Sequence, residues 1–296
     1  SLNMDLVTKV HRFPDPGETI KGENLSEVPG GKGANQAVAA AKLGGNVSMF
    51  GLVGDDGFGG DLRRNLKSYG VDTSFIDIRS GPSGVALIQV DSGGENQIVI
   101  IPGANGEVDE AYVDRCLKDL LKAEVLLLQL EIPFETTSYL LRKIGEAGSK
   151  APTVILDPAP ATDLRELELM NVDLMTPNKI ELRRILSGGD EDKVITGLLD
   201  CGVGSLVLTR GEEGATVINK GGRKEVPPFS AEPVDTTAAG DAFAGGLAVA
   251  LVEGKALEDA ARFASAAGAI STELEGAQPS LPGRAKVLNL LKDRTG

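Results

Sequence analysis

From residue 125 onward, short unbroken apolar runs alternate with segments whose apolar residues recur at helical spacing. The runs at 125–128, 154–156 and 206–208 are too short for helices and show no alternation, so they read as strands buried on both faces, and 172–175, interrupted by Asp173, is strand-like as well. Residues 109–121, 134–147, 180–186 and 193–199 have one apolar and one polar side and read as amphipathic helices. Strands alternating with helices predict a doubly wound α/β body, a mostly parallel sheet with helices on both faces. Upstream, residues 47–53 read as a strand, 54–57 as a turn and 62–69 as another amphipathic helix.

The first hundred residues carry a second pattern. Residues 1–7 alternate polar and apolar, which puts Asn3 and Asp5 on one strand face and Met4 and Leu6 on the other. That polar face suits a ligand or, more simply, solvent at a sheet edge. Residues 13–28 combine Pro14, Pro16 and Gly17 with β-like pieces around 18–20, and residues 85–90 and 97–101 flank Ser92-Gly93-Gly94-Glu95 as a hairpin. These two patches predict a small β-sheet from residues 13–29 and 83–103, projecting from a body made of 1–12, 30–82 and 104–296.

Ligands of parallel sheets bind beyond the strand C-terminal ends. Four such ends carry polar or turn-forming residues: Gln129-Leu130-Glu131, Asp157-Pro158-Ala159-Pro160, Thr176-Pro177-Asn178 continuing to Glu181, and Thr209-Arg210-Gly211-Glu212-Glu213-Gly214. A fifth stretch, Val-Asp-Thr-Thr-Ala-Ala-Gly-Asp from Val234 to Asp241, runs into an apolar segment reaching Val252 and reads as a loop feeding a helix N-terminus. Such an end attracts anions through unpaired N–H groups and the helix dipole. A carboxylate there would repel phosphate, so Asp241 makes sense beside it only as a proton acceptor. The competing reading is that Asp235 or Asp241 caps the helix.

Gly30-Gly31-Lys32-Gly33-Ala34-Asn35-Gln36 resembles a nucleotide loop and fails the tests for one. A P-loop needs Ser or Thr after its Lys and its first Gly six residues before it, where Gly33 and Ser26 stand. A dinucleotide fingerprint starting at Gly31 needs Gly or Ala where Gln36 stands, which weakens a nicotinamide dehydrogenase reading. Polar ligand contact through Lys32 and Asn35 at a helix start remains, beside a simple turn.

Composition narrows the classes. With 30 Lys and Arg against 43 Asp and Glu, the formal charge of −13 argues against nucleic acid as a partner. The absence of Trp removes the best stacking platform for single strands. The single His11 excludes a His-based metal centre or serine triad, and Cys116 and Cys201 read as buried structural thiols. No apolar run approaches a membrane span and no signal segment opens the sequence, so a cytoplasmic protein is expected.

Taken in order, Asn3-Met4-Asp5, the loop from Gly30 to Gln36, Thr176-Pro177-Asn178 to Glu181, Asp235-Thr236-Thr237-Ala238-Ala239-Gly240-Asp241 and Gly276-Ala277-Gln278-Pro279-Ser280 resemble the ribokinase family within the ribokinase-like carbohydrate kinases. The resemblance spans nearly the whole chain. It implies ATP-dependent phosphorylation of D-ribose at its 5-hydroxyl, with Asp241 as general base and the 238–241 amides, Ala239 and Gly240 among them, as an anion hole. Matching positions assign Asn3, Asp5, Gly31, Lys32, Asn35 and Glu131 to the sugar. They assign Asn178, Thr209, Gly211, Gly214, Gly240 and Ser265 to ATP, although Ser265 stands where some relatives carry a larger residue. The resemblance further implies Mg²⁺ with Glu181 as outer-sphere partner, where the residue's own setting allows a plain helix-surface acid. It implies activation by K⁺ at Asp235, Thr237, Ser271, Leu274, Gly276 and Ser280, and it makes the small β-sheet a lid through which a homodimer forms.

Asp241 is expected to act as a base of ordinary carboxylate pKa, about 3.9, because the sugar oxygen acidifies only as the P–O bond forms. Family members carry a short apolar run ahead of the position of Ser1, so Asn3 and Asp5 are expected on a frayed terminus. Another pentose or nucleoside kinase and a non-catalytic sugar-binding protein on the same scaffold are the rival readings.

Overall fold

A computed structural model describes residues 1–187 and 189–292. The opening segment holds β1 (Asn3–Lys9), β2 (Ser26–Gly30), α1 (Lys32–Lys42), β3 (Ser48–Gly54), α2 (Gly57–Ser68), β4 (Asp72–Arg79), β5 (Gly84–Val90) and β6 (Asn96–Ile101). The alternating segment follows with α3 (Glu110–Leu120), β7 (Val125–Leu128), α4 (Phe134–Ala147), β8 (Thr153–Leu156), β9 (Leu174–Met175), α5 (Lys179–Arg184), α6 (Glu191–Asp200) and β10 (Ser205–Thr209). Two further strands, β11 (Ala215–Asn219) and β12 (Gly222–Val226), precede α7 (Ala239–Val252), α8 (Leu257–Ser271) and α9 (Arg284–Lys292).

The six-stranded sheet has the order β12-β11-β10-β9-β8-β7. Strands β7 to β10 run parallel, while β11 and β12 continue the sheet antiparallel. Successive residues serve opposite cores, as the unbroken apolar runs require. Val154 and Leu156 pack with α3, α4 and α6, whereas Ile155 packs with α7 and α8 on the other face. Residues 241–250 of α7 are all buried, so this helix is apolar nearly all round.

A second, four-stranded sheet has the order β2-β1-β5-β6. Its β5–β6 hairpin falls where the alternation predicted it. The β-like pieces expected around 18–20 form no strand; the pairing segment is β2, at Ser26–Gly30. Strand β1, expected in the body, belongs to this sheet, paired antiparallel with β2 and parallel with β5. Because both of its edges are paired and Leu2 and Asn3 are buried, the expected fraying does not occur.

Three other expectations are corrected. Helix α2 begins at Gly57 rather than 62, because Asp56 caps it by accepting from Gly59 N at 2.8 Å. The parallel β3–β4 pair and the β11–β12 hairpin include strands whose mixed polar composition hid them. Cys116 is buried in α3, but Cys201 caps the C-terminus of α6 and is exposed. Among the described residues, no helix is long and apolar enough to cross a membrane.

Candidate active site

The N-terminus of α7 is an unusual helix start. Its N-cap, Ala238, adopts a left-handed conformation (φ 61°), which costs a non-glycine residue about 1–2 kcal/mol, and no side chain caps the helix. Neither Asp235 nor Asp241 is therefore a cap. Ala239 N donates to Thr236 O at 3.2 Å, so that amide is already engaged. The N–H groups of Gly240 and Asp241 have no acceptor among the described residues. A side chain at Gly240 would meet nothing within 4 Å, so the space over this amide is open.

Asp241, in the first turn, is 4% exposed. Its Oδ2 accepts from Asn35 Nδ2 at 3.0 Å and its Oδ1 from Gln36 Nε2 at 3.1 Å. Burial pushes its pKa above the ordinary carboxylate value, against the opposing influence of Lys32, Asn35 and Gln36. This corrects the expectation of an ordinary carboxylate.

Helix α1 supplies the facing side. It starts immediately after Gly31, whose φ of 87° suits glycine and whose missing Cβ would lie 2.8 Å from Asn3 N. That close approach sets β1 against the helix start. Glu131, just beyond β7, receives Lys32 N at 3.0 Å and Ser1 Oγ at 2.6 Å. Burial disfavours the Lys32 ammonium, but Asp241, Asp157, Glu131 and Glu181 outweigh it and drive its pKa up. One cation thus sits in the field of acids from four separate elements.

On β1, Asn3 is fixed by Asn105, whose Nδ2 donates to Asn3 Oδ1 at 2.8 Å and to Leu2 O at 2.9 Å. Asp5 has its pKa pushed up to about 7 by burial first and then by Glu131 and Asp241. Asp157 is raised further, to about 8, chiefly by burial. A cavity of about 580 Å³ touches Gln36, Gln129 and Glu131 and extends away along residues 44–51 and 123–128. Asp241, Lys32 and Asn35 do not line it, so the polar cluster and not this cavity marks the site.

The opposite side is built largely from backbone. Asn178 caps α5 through a capping box, accepting from Ile180 N and Glu181 N while Glu181 Oε2 accepts from Asn178 N at 2.8 Å. Glu181 is thus a half-buried capping acid, with its pKa raised mainly by burial. Thr209 N donates to Pro177 O at 3.0 Å, which ties the β10 end to this cap. Gly211 (φ 60°) and Gly214 (φ 90°) bound the turn that follows. Ser265 Oγ in α8 is buried without a hydrogen-bond partner among the described residues.

Asp235 organises the loop before α7. Its Oδ1 accepts from Thr237 N at 2.8 Å and Thr237 Oγ1 at 2.6 Å, and its Oδ2 from Gly276 N at 2.8 Å. Burial opposes its ionisation, yet these donors prevail and hold its carboxyl below the usual range. Ser271 and Ser280 are buried nearby in sequence, with hydroxyls donating to Gly268 O and Ala277 O, and the Leu274 side chain is exposed. Among the described residues, no cluster of three His, Cys, Asp or Glu side chains is placed to hold a metal.

A family profile described as the pfkB family carbohydrate kinases matches residues 1–284. The chain belongs to that family. This carbohydrate kinase is 41% identical to the ribokinase of Bacillus subtilis, over 98% of the chain and 97% of the relative. It is 38% identical to the deoxyribokinase of Salmonella typhi, over 94% and 92%. The solved structure of Arabidopsis thaliana ribokinase complexed with ribose and ATP superposes with a TM-score of 0.90 at 33% identity, covering 99% of this chain and 96% of that one. The doubly wound fold with a small additional sheet, read from the sequence pattern, is the fold of these relatives.

The structure brings Lys32, Asn35, Glu131 and Asp241 into one cluster with Asp5 at its margin, and it ties Asn178 to Thr209 at a separate edge. Sequence reasoning left Gln36, Gln129, Asn105 and Gln278 without a role and saw Asp157 only as a loop residue. Gln36, beside Asn35 in the same motif, and Gln129 and Asp157, at strand ends, stood where such a signal would be sought.

Proposed function

We propose that this kinase transfers the γ-phosphoryl group of ATP to the 5-hydroxyl of D-ribose. The observation that carries the proposal is a buried carboxylate, Asp241, in the first turn of a helix whose Gly240 and Asp241 N–H groups are unclaimed among the described residues, facing Lys32 and flanked by Asn35 and Glu131. A sugar presents hydroxyls that each donate and accept, and Asn3, Asp5, Lys32, Asn35 and Glu131 offer fixed partners of both kinds. Phosphoryl transfer depends mainly on alignment and charge stabilisation. The Gly240 and Asp241 amides are suited to the charge on the transferred group, and Asp241 Oδ to the hydroxyl proton. Burial raises the pKa of Asp241 against the opposing pull of Lys32, Asn35 and Gln36, which strengthens it as a proton acceptor.

The nucleotide would lie along Asn178, the Thr209 to Gly214 turn, Gly240 and Ser265, whose unpartnered hydroxyl is an available contact. Mg²⁺ would accompany ATP, held chiefly by phosphate and water, with Glu181 as an outer-sphere partner. K⁺ would bind at the 235–237 and 271–280 loops, which Asp235 ties together, several ligands being backbone carbonyls. The four-stranded sheet would act as a lid over the sugar. Its edge strand β6 exposes Ile98, Val99, Ile100 and Ile101, an apolar unpaired edge that favours pairing with a second copy.

The test is turnover with ATP, Mg²⁺ and K⁺ across a panel of sugars. D-ribose should give the highest kcat/KM. Equal or better activity on 2-deoxyribose, fructose or a nucleoside overturns the substrate assignment.

A further inference from the structure

Behind the cluster lies a chain of buried amides that the proposed chemistry does not use directly. Gln36 is fully buried, and its Nε2 donates both to Asp241 Oδ1 at 3.1 Å and to Asp157 Oδ2 at 2.8 Å. A primary amide has two N–H donors on one nitrogen, so a single Gln36 spends one on each carboxylate. Its Oε1 accepts from Gln129 Nε2, which fixes which end of the amide faces the acids. The same logic repeats one residue earlier: Asn35 Nδ2 donates to Asp241, and Asn35 Oδ1 accepts from Gln278 Nε2 at 3.1 Å. Asn35, Gln36, Gln129 and Gln278 are all buried, so no solvent competes for these bonds.

Helix packing makes this arrangement possible. Gly245 lies one turn beyond Asp241 on α7, and a Cβ there would fall 2.7 Å from Ala39 Cβ and 2.9 Å from Gln36 O. The absent side chain lets α1 and α7 approach closely enough for Gln36 to reach both acids.

The geometry points to Gln36 as a positioning residue for phosphoryl transfer: oriented by Gln129, it holds the Asp241 carboxylate in place and ties it to the second buried acid, Asp157. This deepens the proposed function and rests on Asp241 being the base. Two acids in a buried site without solvent each need a fixed hydrogen-bond partner. A shared donor gives each a fixed partner. The charged and titratable groups facing this pair are Lys32 from α1, Glu131 beyond β7, Glu181 from α5, Asp5 from β1 and the buried Ser1 amine.

Three variants test the assignment with D-ribose and ATP: Gln36→Met, which keeps length without hydrogen bonding, Gln129→Leu, and the double variant. Gln36→Met should lower kcat about 10–100-fold, the usual cost of removing an outer partner of a reacting group, with the ribose Kd changed less than about threefold. The acidic limb of its kcat–pH profile should move to higher pH, because Asp241 loses a donor that favours its ionised form. Gln129→Leu should show a smaller change in the same direction, and the double variant should be no worse than Gln36→Met alone, because Gln129 acts through Gln36. If Gln36→Met does not fold, Gln129→Leu alone carries the test through its kcat and pH limb. Wild-type kcat and an unmoved acidic limb in whichever of these folds would overturn the assignment, as would additive losses in the double variant. Asp241→Asn separates the two claims: full activity in that variant removes the base itself, whereas an inactive Asp241→Asn beside an unaffected Gln36→Met removes only the positioning role.

Discussion

The two sides of the site are made of different material. On the α1 and β7 side, side chains do the work: Asn35 and Gln36 donate to Asp241, Glu131 accepts from the Lys32 backbone N–H, and the Lys32 ammonium lies in the field of both acids. On the α5, β10 and α7-loop side, Asn178 and Glu181 are committed to capping, and what faces outward is backbone around Gly211 and Gly240. A sugar is told from other small molecules by the pattern of its hydroxyls, which only fixed side chains can match. A polyphosphate is held by charge and length, for which backbone amides at helix starts and turns suffice.

If that contrast holds, substitutions on the first side should be far more damaging. The largest effect is expected for Asp241→Asn, which should slow single-turnover phosphoryl transfer by about 10³-fold or more with ribose and ATP affinities nearly intact. Turnover within tenfold of wild type would remove the base from the account. Next, Glu131→Ala should lower kcat/KM for ribose about 100-fold while leaving KM for ATP nearly unchanged, because a half-buried carboxylate proposed to bind sugar hydroxyls is lost. An equal rise in both KM values would erase the division between the sides.

The buried acids also set a pH dependence of stability. Asp5, raised to about 7, and Asp157, raised to about 8, keep protons in the folded chain that the unfolded chain releases near 3.8. The folded state therefore binds more protons between these values, and its stability should fall as pH rises from about 4 toward 7 or 8. The upper limit is about 1.4 kcal/mol per pH unit for each group. Urea unfolding from pH 4 to 8 should show this fall, and Asp5→Asn should flatten it below pH 7. The smallest effect belongs to the other side: Gly211→Ala meets no atom within 4 Å and imposes only backbone strain at φ 60°, so KM for ATP should rise only a few-fold.

Legibility followed the same division. Strands β7, β8 and β10 and helices α3, α4 and α6 were readable because both sheet faces are covered and each helix keeps one apolar side. Strand β4, with Asp72, Asp77 and Arg79, was not, since its alternation is broken by charges at its ends. Strand β1 was recognised as a strand but misplaced, because alternation reports faces and says nothing about which sheet a strand joins. Asp241 stood out as an acid at an anion-attracting helix start. The roles of Gln36, Gln129 and Gln278 depend on contacts between residues far apart in sequence, and an amide carries no local signal of its partner.

The measurement that bears most directly on the proposed function is the site of phosphorylation, read by ³¹P–¹H correlation NMR on the product formed from D-ribose, ATP and Mg²⁺. The account predicts a single sugar phosphate with phosphorus coupled to the two C5 protons of ribose. Coupling to the C1 proton, or ATP hydrolysis with no sugar phosphate formed, would contradict it.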